Sequence, residues 1–117
     1  ICFRSSSVAS STALEYGNPQ TGPHVVRYRF PAGVVDAPHE HGAALSITVL
    51  KGKIAVGPGK EIDESKGWPV DTGGYAVVPA KTPHWILAKE DSDFVVFVNG
   101  PRDLVYINPA DDPKNKK

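Results

Sequence analysis

Residues 39–52 read HEHGAALSITVLKG, and the parity of this stretch decides the fold. Side chains two apart on a strand project from the same face. On that period His39, His41, Leu45, Ile47 and Val49 fall together. Three of the five are large aliphatic residues, so the shared face is the buried one, and it carries the two histidines inward. Two imidazoles on one strand can reach a single point in space. His84, further along in PAKTPHW, completes a facial set if its strand lies alongside. Neutral imidazole is a common ligand for zinc, iron, copper and nickel, so the chain predicts a metal site inside a β structure.

Working outward, HVVRYRF at 24–30 alternates Val26, Tyr28 and Phe30 with Arg27 and Arg29. That is a half-buried strand with a charged outer face. His24 has the inward parity and stands as a fourth ligand, a proton shuttle or a hydrogen-bonded core histidine. KIAVGPG is a short strand ended by Gly57, Pro58 and Gly59, and KEIDESKGWPVDTGG at 60–74 is polar and turn-rich, a predicted long loop. GYAVVPA, PHWILAK, FVVFVNG and DLVYINP are the remaining strands, with His84, Ile86 and Ala88 on one parity. Short strands at this spacing, without a convincing helix, predict an all-β antiparallel barrel or sandwich. No internal repeat is present, so the chain forms one barrel.

The bulk composition agrees. A chain of 117 residues with 40% hydrophobic and 22% charged residues is an ordinary single globular domain. Lys plus Arg and Asp plus Glu balance at 13 each, so no broad field points to nucleic acid or a membrane surface. No apolar run approaches the length that spans a bilayer. Eleven Gly and eleven Pro imply many turns. Cys2, alone, can form no internal disulfide and is read as incidental. The chain starts at Ile1 and contains no Met, as a processed or truncated product would. Residues 1–21 are Ser-rich at the start and read as an arm, mobile or left from a leader, which would suit an exported or periplasmic protein. The lysines Lys114, Lys116 and Lys117 form a solvated tail over 113–117.

Gly33, five residues, then HEH, with Gly52 after it, resembles the first motif of the cupins. GGYAVVPAKTPHW, with Gly73, Pro79 and His84 in register, resembles the second. The likeness covers residues 22–112, and YINPADDPK and KEIDESKG resemble a subgroup of small bacterial cupins, often exported. The resemblance implies a jelly-roll (double-stranded β-helix) barrel of six to eight strands, with one divalent metal ion held by His39, His41 and His84. It also implies pairing of barrels, hence a homodimer.

Two positions depart from the family pattern. The glutamate ligand falls at Leu45, and leucine cannot bind metal. The glycine of the second motif's Pro-x-Gly is Lys81, which affects a turn. Among other acids, Glu40 points outward by parity, whereas Asp63, Glu64 and Asp71 lie on the predicted loop, from which they could fold over the mouth. Three neutral imidazoles leave the ion its full +2 charge, which strengthens attraction for an anion and leaves positions open for water or a bidentate substrate.

The expected function is therefore a metal-dependent enzyme of oxygenase, isomerase or hydrolase type, acting on a small anionic or chelating substrate. Iron, zinc, manganese, nickel and copper all suit an all-nitrogen site. His24 and Tyr28 are the acid–base candidates. The rival reading is a non-catalytic barrel that binds or senses a small molecule, with metal weak or absent. A structural role like that of seed-storage relatives suits a single short barrel less well. Trp85, opposite in parity to His84, is expected outside the barrel or at a dimer face. Trp68 is expected to cover the mouth or anchor its loop.

Overall fold

A computed structural model describes the backbone of residues 4–5 and all of residues 11–111. Cys2 and the lysines of the tail lie outside the described residues. Eleven strands are described: β1 (Arg4–Ser5), β2 (Ser11–Gly17), β3 (His24–Phe30), β4 (Val35–His41), β5 (Leu45–Lys51), β6 (Lys53–Pro58), β7 (Trp68–Asp71), β8 (Tyr75–Val78), β9 (His84–Ala88), β10 (Ser92–Val98) and β11 (Leu104–Tyr106). They form two antiparallel sheets, ordered β1-β2-β3-β10-β5-β8 and β11-β4-β9-β6-β7. The architecture is an all-β jelly-roll barrel.

The inward parities place the core between the sheets. Ile47, Val49, Ile54, Val56, Ile86, Phe94 and Val96 form one buried cluster with Phe30 and Leu45. Tyr28 stacks on Phe94 with centroids 5.4 Å apart, while Phe30 meets Phe94 edge-on at 5.1 Å. Burying side chains of this size stabilises by roughly 1.5–3 kcal/mol each, before chain entropy is counted. On the outer face the Arg27 guanidinium donates from Nε and Nη2 to the Asp93 carboxylate at 2.8 and 2.5 Å. That pair stitches β3 to β10.

Strands appear where apolar periodicity was faint. Ser11–Gly17, within the segment read as an arm, is β2 and pairs with β3 from Ser11↔Arg29 to Gly17↔His24. Only Ala13 of this strand is buried, so backbone pairing with an otherwise open edge recruits it. The second half of the predicted 60–74 loop is β7, paired with β6 through Ile54↔Val70 and Ala55↔Pro69. β7 is an edge strand, the place in a sheet where proline's missing N–H is tolerated. These two strands and the short β1 bring the number above the six to eight expected, whereas β11 is the predicted strand in DLVYINP.

Trp85 faces away from the barrel interior, as its parity requires, yet is 0% exposed. A Cβ added at Gly57 would come within 1.9 Å of its ring, and one at Gly67 within 3.1 Å. The indole is therefore roofed by the β6–β7 connection and cannot form a dimer face. Trp68 is 71% exposed. Gly52 shows why the first motif ends in glycine: φ is +88°, and a Cβ would lie 2.5 Å from the Asp91 carbonyl oxygen.

Candidate metal centre

β4 and β9 are adjacent and antiparallel, and their register sets His39 directly opposite His84. His41 follows two residues later on β4, on the same face. One ring nitrogen from each of His39, His41 and His84 lies within 4.8 Å of the other two. The ring centroids are 4.3 Å apart for His39 and His84, 5.1 Å for His39 and His41, and 5.6 Å for His41 and His84. All three side chains are buried, His39 and His84 more completely than His41, which is 8% exposed.

Backbone carbonyls fix two of the tautomers. His39 Nδ1 lies 2.6 Å from the Ala37 carbonyl oxygen, and His84 Nδ1 lies 2.9 Å from that of Thr82. A carbonyl can only accept, so Nδ1 carries the proton in both rings and Nε2 is left as a bare lone pair. His41 Nδ1 is a buried nitrogen with no hydrogen-bond partner. Burial, followed by the neighbouring imidazoles His39 and His84, pushes His41 down to about 3. Burial and then His39 push His84 down to about 4. Both are neutral at pH 7, the form that ligates metal. Oriented lone pairs, an orphaned nitrogen and an all-nitrogen donor set fit a divalent metal ion.

The cavity over the cluster is about 20 Å³, roughly the space of one water. Tyr28, Asp36, Leu45, Ile47 and Leu104 are among the residues that line it with the three histidines. Tyr28 reaches it from β3. Burial and then the Asp36 charge raise the phenol to about 12, with Arg102 opposing, so it stays a hydrogen-bond donor at neutral pH. His24 is buried at 1% exposure, with Nδ1 3.1 Å from the Gly22 carbonyl oxygen. It is not among the lining residues, although its charge bears on His41.

Leu45 occupies the cavity wall where the resemblance puts a glutamate. The loop acids do not replace it. Asp63 caps the 3-10 turn at Glu64–Lys66 by accepting from Ser65 N, Glu64 accepts from Lys89 Nζ at 2.8 Å, and Asp71 pairs with Lys53 at 3.6 Å. Glu40, opposite Val105 on β11, has the outward parity.

The carboxylate that does face the histidines is Asp36, which parity counting missed. Counted back from His39, position 36 points outward. The β4–β9 register, however, runs Asp36↔Ile86 and then His39↔His84, so β4 has an extra residue and a bulge. The bulge at Ala37 and Pro38 resets the alternation and turns both Asp36 and His39 into the cavity. A proline inside a strand pattern was the available signal. Tyr106, opposite His39 on β11, was also missed; its hydroxyl donates to Asp36 Oδ1 at 3.2 Å. Burial chiefly raises Asp36, with His39, Tyr106 and Arg102 opposing, and burial then Asp36 raise Tyr106.

No protein-family model matches the chain, and no curated protein does. Solved structures do match. An RmlC-like cupin protein from Desulfovibrio desulfuricans is 26% identical, with a TM-score of 0.64 over 77% of this chain and 81% of the other. The chain has the cupin fold. KdgF from Halomonas sp. superposes on this cupin barrel with a TM-score of 0.70, at 22% identity and 87% coverage of both chains. A candidate acetylacetone dioxygenase from Methylibium petroleiphilum gives 0.71 at 23% identity, over 95% of this chain and 73% of the other. These two likenesses concern the fold. No helix among the described residues is long and apolar enough to cross a membrane.

Proposed function

We propose that this cupin is a metal-dependent enzyme that holds one divalent ion through His39, His41 and His84 and acts on a small anionic or chelating substrate. The observation that carries the reading is the convergence of the three ring nitrogens within 4.8 Å, with the Nδ1 of His39 and of His84 tied to backbone carbonyls. When bound, the metal supplies Lewis acidity, an activated water or, if it is iron, a centre for oxygen chemistry. The remaining roles belong to the chain. Tyr28, held protonated, donates a hydrogen bond to substrate or leaving group. The positive charge of Arg102 reaches Tyr28, Asp36, His41 and Tyr106 and favours an anionic substrate at the mouth. His24 acts behind the cluster, through His41.

The rival reading, a metal-free ligand pocket, asks for more room than about 20 Å³. Small-molecule pockets run to hundreds of cubic ångströms. A site of this size, walled by histidines, suits an ion first and an organic ligand only at its mouth. That a structural neighbour is a candidate acetylacetone dioxygenase supports oxygenase chemistry as the first to assay.

Homodimerisation is part of the proposal. Outward-facing Tyr16, Val25, Phe97, Ser46 and Val77 lie in register across five strands, and Tyr16, Phe97 and Val77 are exposed. A sheet face with such a row suits burial against a second copy.

Elemental analysis of untagged protein beside His39→Ala tests the reading. About one equivalent of a single metal, lost in the variant, supports it and directs the assays: oxygen uptake for iron, hydrolysis for zinc. No metal in the wild type, even after reconstitution, rejects it in favour of ligand screening.

A further inference from the structure

His39 Nε2 and Asp36 Oδ2 face each other at 3.7 Å. With His39 Nδ1 donating to the Ala37 carbonyl, the neutral ring, the form that ligates metal, presents a lone pair at Nε2, and so does a carboxylate oxygen. Two acceptors aimed at one another repel unless a proton or cation lies between them. Tyr106 holds the arrangement: its hydroxyl donates to Asp36 Oδ1 at 3.2 Å and its ring lies 5.6 Å from that of His39. The β4 bulge thus directs a carboxylate, its side chain 19% exposed, toward the histidine cluster.

We infer that Asp36, positioned by Tyr106, is the anionic fourth ligand of the metal centre, taking the part that Leu45 cannot. This inference rests on the three-histidine reading and adds a donor from the same cavity lining. Metal–nitrogen and metal–oxygen bonds of about 2.0–2.2 Å at tetrahedral angles put two ligand atoms about 3.4 Å apart. The observed 3.7 Å is within a few tenths of that edge. Asp36 stands outside the tightest set of nitrogens, so its side chain turns toward the histidines on binding, with the Tyr106 hydrogen bond setting its direction. One carboxylate lowers the net charge of the site from +2 to +1, which favours retention of the ion and moderates its pull on an anionic substrate.

The test uses the full chain, Zn²⁺ and Co²⁺, and the variants Asp36→Asn and Tyr106→Phe. Zinc affinity is read by chelator competition, and the ligand set by the visible absorption of the Co²⁺ form. Replacing Asp36 is expected to weaken zinc by about tenfold or more and to shift the cobalt bands, while Tyr106→Phe weakens zinc by less. An unchanged cobalt spectrum in Asp36→Asn overturns the inference, whatever the affinity, because the ligand set is then the same without the carboxylate. If Asp36→Asn does not fold, the Tyr106→Phe spectrum decides: shifted bands support the inference and unchanged bands overturn it. A wild-type chain that binds neither ion overturns the three-histidine reading itself. Wild-type binding with an unaltered Asp36→Asn spectrum overturns only the role of Asp36.

Discussion

His39 on β4 stands directly opposite His84 on β9, with ring centroids 4.3 Å apart, so a single rung of the ladder supplies two of the three ring nitrogens. Replacing His84 leaves the pair His39 and His41 on one strand, which holds an ion far less well than a facial three. His84→Ala is therefore expected to abolish metal retention while the far-ultraviolet spectrum keeps its β signature. Wild-type metal stoichiometry in this variant would remove His84 from the site.

Acid should destabilise the metal-free barrel. His41 and His84 sit at about 3 and about 4 in the folded chain, against an ordinary value near 6.5 once unfolded. Both folded values are depressed, so below about pH 6.5 the unfolded chain binds more protons and stability falls with pH down to those values. At pH 5 the loss is of order 2 kcal/mol per ring. Thermal melts of chelator-treated protein at pH 7.5 and pH 5 check this. His41→Gln with His84→Gln should flatten the dependence, and an equally steep fall in that double variant would assign it to other groups.

Lys81 occupies the position that is glycine in the second cupin motif, and its φ is +58°. A non-glycine residue in this left-handed region costs about 1–2 kcal/mol. Its N–H donates to the His41 carbonyl at 2.7 Å, so the strained turn holds a residue of the site. Lys81→Gly keeps that bond and removes the strain, offset by about 0.5–1 kcal/mol of extra unfolded-state entropy. A net gain of up to about 1 kcal/mol in urea unfolding is expected, and a loss would show that the lysine side chain has a stabilising contact of its own.

Phe97 is at the centre of the outward row, paired with Val25 on one side and Ser46 on the other. A charge introduced there meets its own copy across a two-fold interface. Phe97→Lys is expected to turn a dimer into a monomer by light scattering at micromolar concentration, with metal content unaltered. A variant that remains dimeric would move the interface elsewhere, for instance to the open edges at β7 and β8.

The sequence alone determined an antiparallel all-β fold, the inward face of β5 and the convergence of the three histidines, because period-two alternation is a local property of the chain. The jelly-roll barrel was legible through the likeness to the two cupin motifs. His39, His41 and His84 are legible as soon as Leu45, Ile47, Val49, Ile86 and Ala88 reveal which parity is buried. Tertiary structure decided what alternation cannot carry. The bulge at Ala37 and Pro38 inverts the parity of Asp36 through its pairing with β9, and Tyr106 reaches that carboxylate only because β11 pairs with β4. β2, with one buried side chain, is a strand because β3 offers it an edge. Trp85 is buried because Gly57 and Gly67 let the β6–β7 connection close over it. Apart from the β2–β3 hairpin, the deciding contacts join residues far apart in the chain, where local periodicity has no purchase.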